Sequence, residues 1–374
     1  MPSIIHFTTV HSRTDTRIRV KQVSTLAAAF GQNVELFVQD GCGDEIDATS
    51  GFRIHDTGLR PQRRISRMTK GAWRMFQEIR KARPQIAHFH DPELIPVGIL
   101  LRLTGVKIIY DVHEDLPRQI LAKSYLSNSV RKILSLAASS LEWLAAISMN
   151  HIVLAGATLS HRFPSKKSTC IYNYPMVDEL TVNALEREDS NSKQFFYVGG
   201  LAKTRGVVEM VQAIDHVTDH EASLSLAGPF QPKELKDEVT REPGWKRTAH
   251  VDWIGRKDLA VALANSAAGL VTLQPTDSYL QSYPTKLFEY MMGGLPIIAS
   301  DFPFWRTILD DIDCAIFVDP LKPQEIARAM HWILDNPDKA RKMGEVGKNA
   351  VKERFSWDIE ARRLVELYED LLAA

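Results

Sequence analysis

Lys286 and Glu289 stand three positions apart, directly after Pro284 and Thr285. Proline suits the first turn of a helix, where a missing N–H costs nothing, and threonine can cap the unpaired amides there. A helix N-terminus that carries a lysine and aims N–H groups at a crevice suits a phosphate, while the carboxylate of Glu289 accepts hydrogen bonds from hydroxyls. Sugar nucleotides offer both groups. A second concentration of chemistry lies earlier, in His88-Phe-His90-Asp91-Pro-Glu93 and Tyr110-Asp111-Val-His113-Glu114-Asp115. Imidazoles and carboxylates at two neighbouring strand ends are where a sugar is held. His88 is assigned to the face opposite His90, as a core or support residue.

The elements that must position these groups follow a βα rhythm. Gly293 and Gly294 supply a helix stop, and the apolar run Leu295 to Ala299 reads as a buried parallel strand. Strand-like runs recur at Ile4 to Thr9, Val34 to Gln39, Ile86 to His90, Lys107 to Val112, His151 to Gly156 and Thr169 to Asn173. A second series comprises Gln194 to Gly199, Ser223 to Ala227, His250 to Ile254, Gly269 to Leu273, Leu295 to Ser300 and Ala315 to Asp319. Two such series predict two doubly wound α/β domains, with the boundary within the polar stretch from Asn173 to Lys193. A last helix, roughly Asp358 to Leu372, carries Ile359, Leu364, Leu367 and Leu371 on one face.

The stretch Pro284-Thr-Lys-Leu-Phe-Glu-Tyr-Met-x-x-Gly-Leu-Pro-Ile-Ile-Ala-Ser-Asp301, joined to Gly199-Gly-Leu-x-x-x-Arg205-Gly206, resembles the donor site of the retaining family-four glycosyltransferases. The resemblance implies the GT-B fold, two Rossmann-like domains facing a central cleft. It divides the chain into an acceptor-binding domain (1–178), a nucleotide-sugar-binding domain (179–356) and a C-terminal helix (357–374) that crosses back to the first.

It also implies roles. The diphosphate is met by Gly199, Gly200, Lys203, Arg205, Lys286 and the backbone from Gln281 through Ser282, Tyr283, Pro284 and Thr285 to Leu287; Ile254, Gly255 and Arg256 lie at the base, and Glu289 takes the ribose hydroxyls. His113 takes the place of the family's loop histidine beside the donor sugar, with Asp91 and Glu114 as hydroxyl acceptors. This chain departs from the pattern in having Gly200 where an arginine is usual, Arg205 where a lysine is usual, and Gln281 near the place of a glutamate. No glycine occurs in the loop after the first strand; Arg13, Arg17 or Arg19 there can meet a phosphate or an acidic sugar on the acceptor side.

Composition narrows the rest. Length 374, 44% apolar and 25% charged residues suit a soluble protein with two cores. Three scattered cysteines predict reduced thiols in a cytoplasmic compartment and no structural zinc. Neither a signal peptide nor a membrane span is expected. The net charge of zero divides into 23 Lys+Arg against 16 Asp+Glu in residues 1–180, and 23 against 30 in the remainder.

Residues 60–83 alone hold nine Lys/Arg and one acid, Glu78, with Ile65, Met68, Ala72, Met75, Phe76 and Ile79 forming a stripe expected to pack on the core. That basic face suits an anionic membrane, placing the protein peripherally at its inner side, where a lipid-linked acceptor lies. Leu116 to Ser148, with Leu116, Ile120, Leu121, Tyr125, Val130, Ile133, Leu134, Leu141 and Leu144 in helical spacing, reads as one or two helices lining the acceptor side, with plain packing favoured over dipping into a membrane.

The expectation is a bacterial retaining hexosyltransferase. It takes a nucleotide-diphosphate sugar, UDP-sugar ahead of GDP-mannose, and serves polysaccharide, capsule or lipopolysaccharide synthesis. Neither metal nor other cofactor is expected, and no nucleic acid as partner. A sugar-nucleotide 2-epimerase of the same fold and a catalytically silent partner subunit are the alternatives; an NAD dehydrogenase is disfavoured by the lack of Gly-x-Gly-x-x-Gly after either first strand.

Overall fold

A computed structural model describes residues 3–121, 123, 126–177 and 192–374. Tyr125 and most of the expected boundary stretch lie outside the described residues. The chain divides into two units: residues 1–173 with 359–374, and residues 174–358.

In the first unit eight strands form one sheet in the order β3-β4-β2-β1-β5-β6-β7-β8. They are β1 (Ile4–Phe7), β2 (Val34–Val38), β3 (Glu45–Ile46), β4 (Arg53–Asp56), β5 (Ile86–Phe89), β6 (Lys107–Val112), β7 (His151–Leu154) and β8 (Ser168–Cys170). All pairs are parallel except β3 with β4. That antiparallel pair is too short and polar to show as a periodic run. The β1, β5 and β6 strands are buried almost throughout, as strands covered on both faces are, with His6, His88 and Asp111 as polar residues within them.

The second unit contains β9 (Gln194–Val198), β10 (Ser223–Ala227), β11 (Thr248–Val251), β12 (Ala268–Val271), β13 (Ile297–Ser300) and β14 (Ala315–Val318). Their order, β11-β10-β9-β12-β13-β14, is the doubly wound arrangement, and every pair is parallel. Strand order reverses beside β1 and β5 in one unit and beside β9 and β12 in the other. Ligand crevices form beyond the carboxyl ends of strands at such points.

Two expected stripes are not wholly buried. In the segment 64–82, Ala72, Met75, Phe76 and Ile79 enter the core, whereas Ile65, at 79% exposure, and Met68 face solvent. In helix Asn128–Ser148 the buried positions are Ser135, Ala138, Glu142, Ala145 and Ala146, while Val130, Ile133, Leu134 and Leu144 are exposed. Small residues let the helix approach helix Ile95–Arg102 closely and leave the large ones outside.

Candidate functional site

The second unit builds a cationic cradle where β9 ends. Gly199 has φ +128° and Gly206 φ +74°, conformations that L side chains rarely adopt. Between them the turn Lys203–Arg205 brings the Arg205 guanidinium back, so that Nη1 donates to the Gly200 carbonyl at 3.2 Å. Lys286, from the first turn of helix Thr285–Met292, reaches the same place. A Cβ on Gly199 would stand 2.8 Å from Lys286 Nζ and 3.3 Å from Arg205 Nη1. Two cations therefore converge on a bare backbone, and among the described residues neither forms an ion pair with a carboxylate. Burial, and then the charge of Arg205, lower the Lys286 amine to about 8, with Glu289 acting in the opposite direction.

Core packing holds the cradle. Tyr290 lies over Gly269, where a Cβ would be 2.3 Å from its ring, and its hydroxyl accepts from the Val198 amide at 3.0 Å. The buried Trp305 indole donates to the Ser282 carbonyl at 3.0 Å, and Tyr283 packs edge-on against Phe304. Helix Thr285–Met292 stops before Gly294, which has φ +68°. Thr285 does not cap it; Pro284 occupies that position, and no side chain caps the end.

Among the other expected donor residues, Glu289 and Arg256 are joined by an ion pair at 3.0 Å, and Gly255 begins the helix Arg256–Ala264. Leu287 is buried, Ile254 half-buried, and Gln281 exposed. Lys203 is not brought to the cradle; it pairs with Glu238 at 2.7 Å.

The first unit builds a buried polar chain. Asp111, fully buried on β6, accepts from Arg17 Nε at 3.0 Å and Nη2 at 2.7 Å, from Gln22 at 2.8 Å, and from His90 Nδ1 and His113 Nε2 at 3.1 Å each. Burial alone would raise its pKa, but Arg17, His113 and these hydrogen bonds hold it well below the ordinary range. Burial lowers His6 and His88 far below 6.5 and takes His90 to about 3, so all three are neutral near pH 7.

Tautomers follow from the network. His90 donates from Nδ1 to Asp111, and its Nε2 accepts from His6 Nδ1 at 3.0 Å. His6 Nε2 accepts the Tyr368 hydroxyl at 2.8 Å, and that oxygen accepts from His88 Nδ1 at 2.7 Å. This leaves His88 Nε2 bare, without a partner among the described residues. The proton on His113 Nε2 is fixed by Asp111, which leaves Nδ1 as its remaining acceptor.

Several expectations are corrected here. His88 shares a face with His90, ring centroids 4.8 Å apart, because strand positions two apart point the same way. Asp91 accepts at Oδ2 from Thr8 Oγ1 at 2.8 Å and the Thr9 amide at 2.6 Å and so staples β1 to β5, while its Oδ1 lies 3.6 Å from His11 Nε2. Arg13 is taken by Asp40, with both contacts at 2.7 Å, and by Glu45; Arg17 is taken by Asp111 and the Ile171 carbonyl. Neither arginine is open to an anion, because the loop after β1 winds into helix Thr16–Val23, capped by Asp15, and turns them inward. Glu114 is exposed.

His11 went unassigned in the sequence. Its ring lies 4.8 Å from that of His113 and pairs with Asp15 at 3.0 Å. Burial opposes its charge, yet Asp15 and Asp91 outweigh it and raise the pKa above 6.5. Asp111, His6 and Tyr368 were also missed as partners, and only the in-register Asp-Val-His spacing pointed to the first. His88, His90 and Asp111 bring donor atoms within 4.8 Å of one another, as a metal would need. Hydrogen bonds already occupy both nitrogens of His90, and Arg17 neutralises Asp111.

Residues 182–350 match the model of glycosyl transferases group 1, and residues 16–149 match the glycosyl transferase 4-like domain. A D-rhamnosyltransferase, WbpZ of Pseudomonas aeruginosa, is 23% identical over 82% of this chain and 78% of its own. An MMP α-(1→4)-mannosyltransferase of Mycolicibacterium hassiacum is 24% identical over 45% of this chain; the match spans 41% of that relative's length. Sucrose-phosphate synthase from Thermosynechococcus elongatus has the same fold, with a TM-score of 0.77 at 18% identity and complete coverage of both chains. Matched by both models and by the fold as a whole, the chain belongs to the GT-B glycosyltransferases of family four.

Proposed function

We propose that the protein transfers a sugar from a nucleotide-diphosphate donor, with retention at the anomeric carbon, to a hydroxyl of a glycan or lipid-linked acceptor in cell-surface polysaccharide synthesis. The observation that carries this is the convergence of Lys286 and Arg205 on Gly199, with no carboxylate paired to either among the described residues. A departing diphosphate gains charge as its bond to the sugar breaks, and fixed cations aimed there stabilise that change most. Glu289, oriented by Arg256, accepts the ribose hydroxyls.

In this reading His113 meets the donor sugar; its Nε2 donates to Asp111 at 3.1 Å. Asp111 has both oxygens occupied, which supports a path without that carboxylate as nucleophile. The bond from the anomeric carbon to phosphate oxygen breaks, the acceptor oxygen bonds on the same face, and its proton passes to the diphosphate. No metal takes part in this reading. The basic segment 60–83 faces an anionic membrane on the cytoplasmic side.

Calorimetry against UDP-, GDP-, ADP- and TDP-sugars and NAD, without metal, tests the proposal. UDP-sugars are the expected donors; the relatives named for mannosyl and rhamnosyl transfer make GDP-mannose the competitor. One sugar nucleotide should bind, and Arg205→Ala should weaken it roughly 10- to 100-fold, as a charged hydrogen bond worth about 1.5–3 kcal/mol requires. Equal affinity in the variant, or binding of NAD alone, overturns it.

A further inference from the structure

We propose that helix Asn128–Ser148 docks in the plane of an anionic lipid bilayer, through an outward face made of Val130, Ile133, Leu136, Trp143, Leu144 and Ile147. This rests on the membrane-facing part of the reading above and names a surface for it. Ile133 is 68% exposed, Leu136 71% and Trp143 64%. At 100° per residue the six fall within one continuous half of the helix, with Ser129, Ser140 and, at its edge, Ser148 as the polar residues among them. The opposite half is inward and built of small residues, Ser135, Ala138, Ala145 and Ala146. The usual amphipathic order, large apolar side chains inside, is thus inverted. Soluble proteins rarely leave a contiguous patch of this kind uncovered.

Charge selects the occupant. From Leu116 to Leu141 the sequence has Arg118, Lys123, Arg131 and Lys132 and no acidic residue. The next acid, Glu142, is buried and paired with Arg162 at 2.5 Å, so its charge is hidden from this face. Lys132 is exposed on the same flank of the helix as Trp143, about three turns before it. Arg118 is paired with Asp115 at 3.6 Å, which leaves Lys123, Arg131 and Lys132 as the cations of this border. Apolar side chains, a tryptophan and such a cationic border are the composition of a helix that lies at the headgroup boundary. A second copy of this chain would bring the same cations against one another. None of the described helices is long and apolar enough to cross a membrane, so the helix lies on the bilayer. At about 30 Å long it offers a line of contact. Leu100, on the neighbouring helix Ile95–Arg102, and Leu103, just after it, are exposed as well.

The test is flotation of the full chain with vesicles of phosphatidylcholine alone and of phosphatidylcholine with phosphatidylglycerol, together with its mass in solution. The full chain should float with the anionic vesicles and remain a monomer. The triple variant Ile133→Ser, Leu136→Ser, Trp143→Ser should lose at least tenfold in vesicle affinity while melting at the same temperature and binding the sugar nucleotide as before. Brominated lipid should quench the unchanged protein more than Trp143→Phe. Equal flotation of the triple variant overturns the proposal, as does a dimer that the variant dissociates with no flotation of either protein. Flotation without any sugar-nucleotide binding sinks the transferase reading and leaves the docking surface standing.

Discussion

Lys286 illustrates how one side chain links pH to binding. Its amine, lowered to about 8 by burial and by Arg205, has begun to lose its proton above that pH. A diphosphate beside it favours the charged form and raises its pKa again. Binding above pH 8 must therefore draw a proton from solution, and affinity must fall as pH rises through this range. Calorimetry at pH 8.5 in two buffers of different ionisation enthalpy should give an uptake approaching one proton, against nearly none at pH 7. Equal heats in both buffers at pH 8.5 would show that Lys286 does not meet the phosphate. Arg205 cannot give this signal, since arginine stays protonated throughout.

At the scale of elements, the loop from Gly199 to Gly206 separates two uses of glycine. At Gly206, with φ +74°, a Cβ would stand 2.1 Å from the Thr272 carbonyl oxygen, and backbone cannot yield as a flexible side chain does. Gly200 has no such conformation, and the nearest atoms to its Cβ would be side-chain ends, Arg205 Nη1 and Gln231 Oε1, each at 3.2 Å. Gly206→Ala should cost more than about 2 kcal/mol in denaturant unfolding of the second unit, whereas Gly200→Ala should stay within about 0.5 kcal/mol. Similar losses in both variants would contradict the geometry. Gly200 also makes sense of a departure from the family pattern, because a long cation there would crowd the guanidinium that Arg205 supplies.

The βα rhythm, the donor helix and its glycine stop were legible, since each is written in local period and turn chemistry. Strands β3 and β4 were not, being short, polar and at an edge. Nor could local sequence tell that Arg13 and Arg17 are spent on Asp40 and Asp111, or that Tyr368 meets His6, because those partners are chosen by packing across the unit.

For the molecule as a whole, acid should act unevenly. The strongly buried histidines His6, His88 and His90 all lie in the first unit, with pKa values lowered by burial. Unfolding releases them to about 6.5, so the unfolded chain binds more protons below that pH, and stability falls as pH drops from 6.5 toward 3. Each contributes up to about 1.4 kcal/mol per pH unit in this window. His11 and His55, raised above 6.5, gain their advantage only down to that value and do not offset the loss at lower pH. Unfolding followed through each unit between pH 6.5 and 4.5 should show the first lost before the second. Simultaneous loss, or loss of the second first, would argue against neutral histidines in the fold.

Residues 359–374 group with the first unit, and Tyr368, on this segment, closes a hydrogen-bond chain that begins 362 positions earlier. The ribosome therefore finishes the first unit last. At about 5–20 residues per second, the β1 strand and its neighbours wait through the synthesis of the whole second unit before their final helix emerges. During that interval His6 lacks the hydroxyl that completes its buried pairing. The second unit carries its own core and can form meanwhile, which makes order of birth and order of completion opposite in this chain.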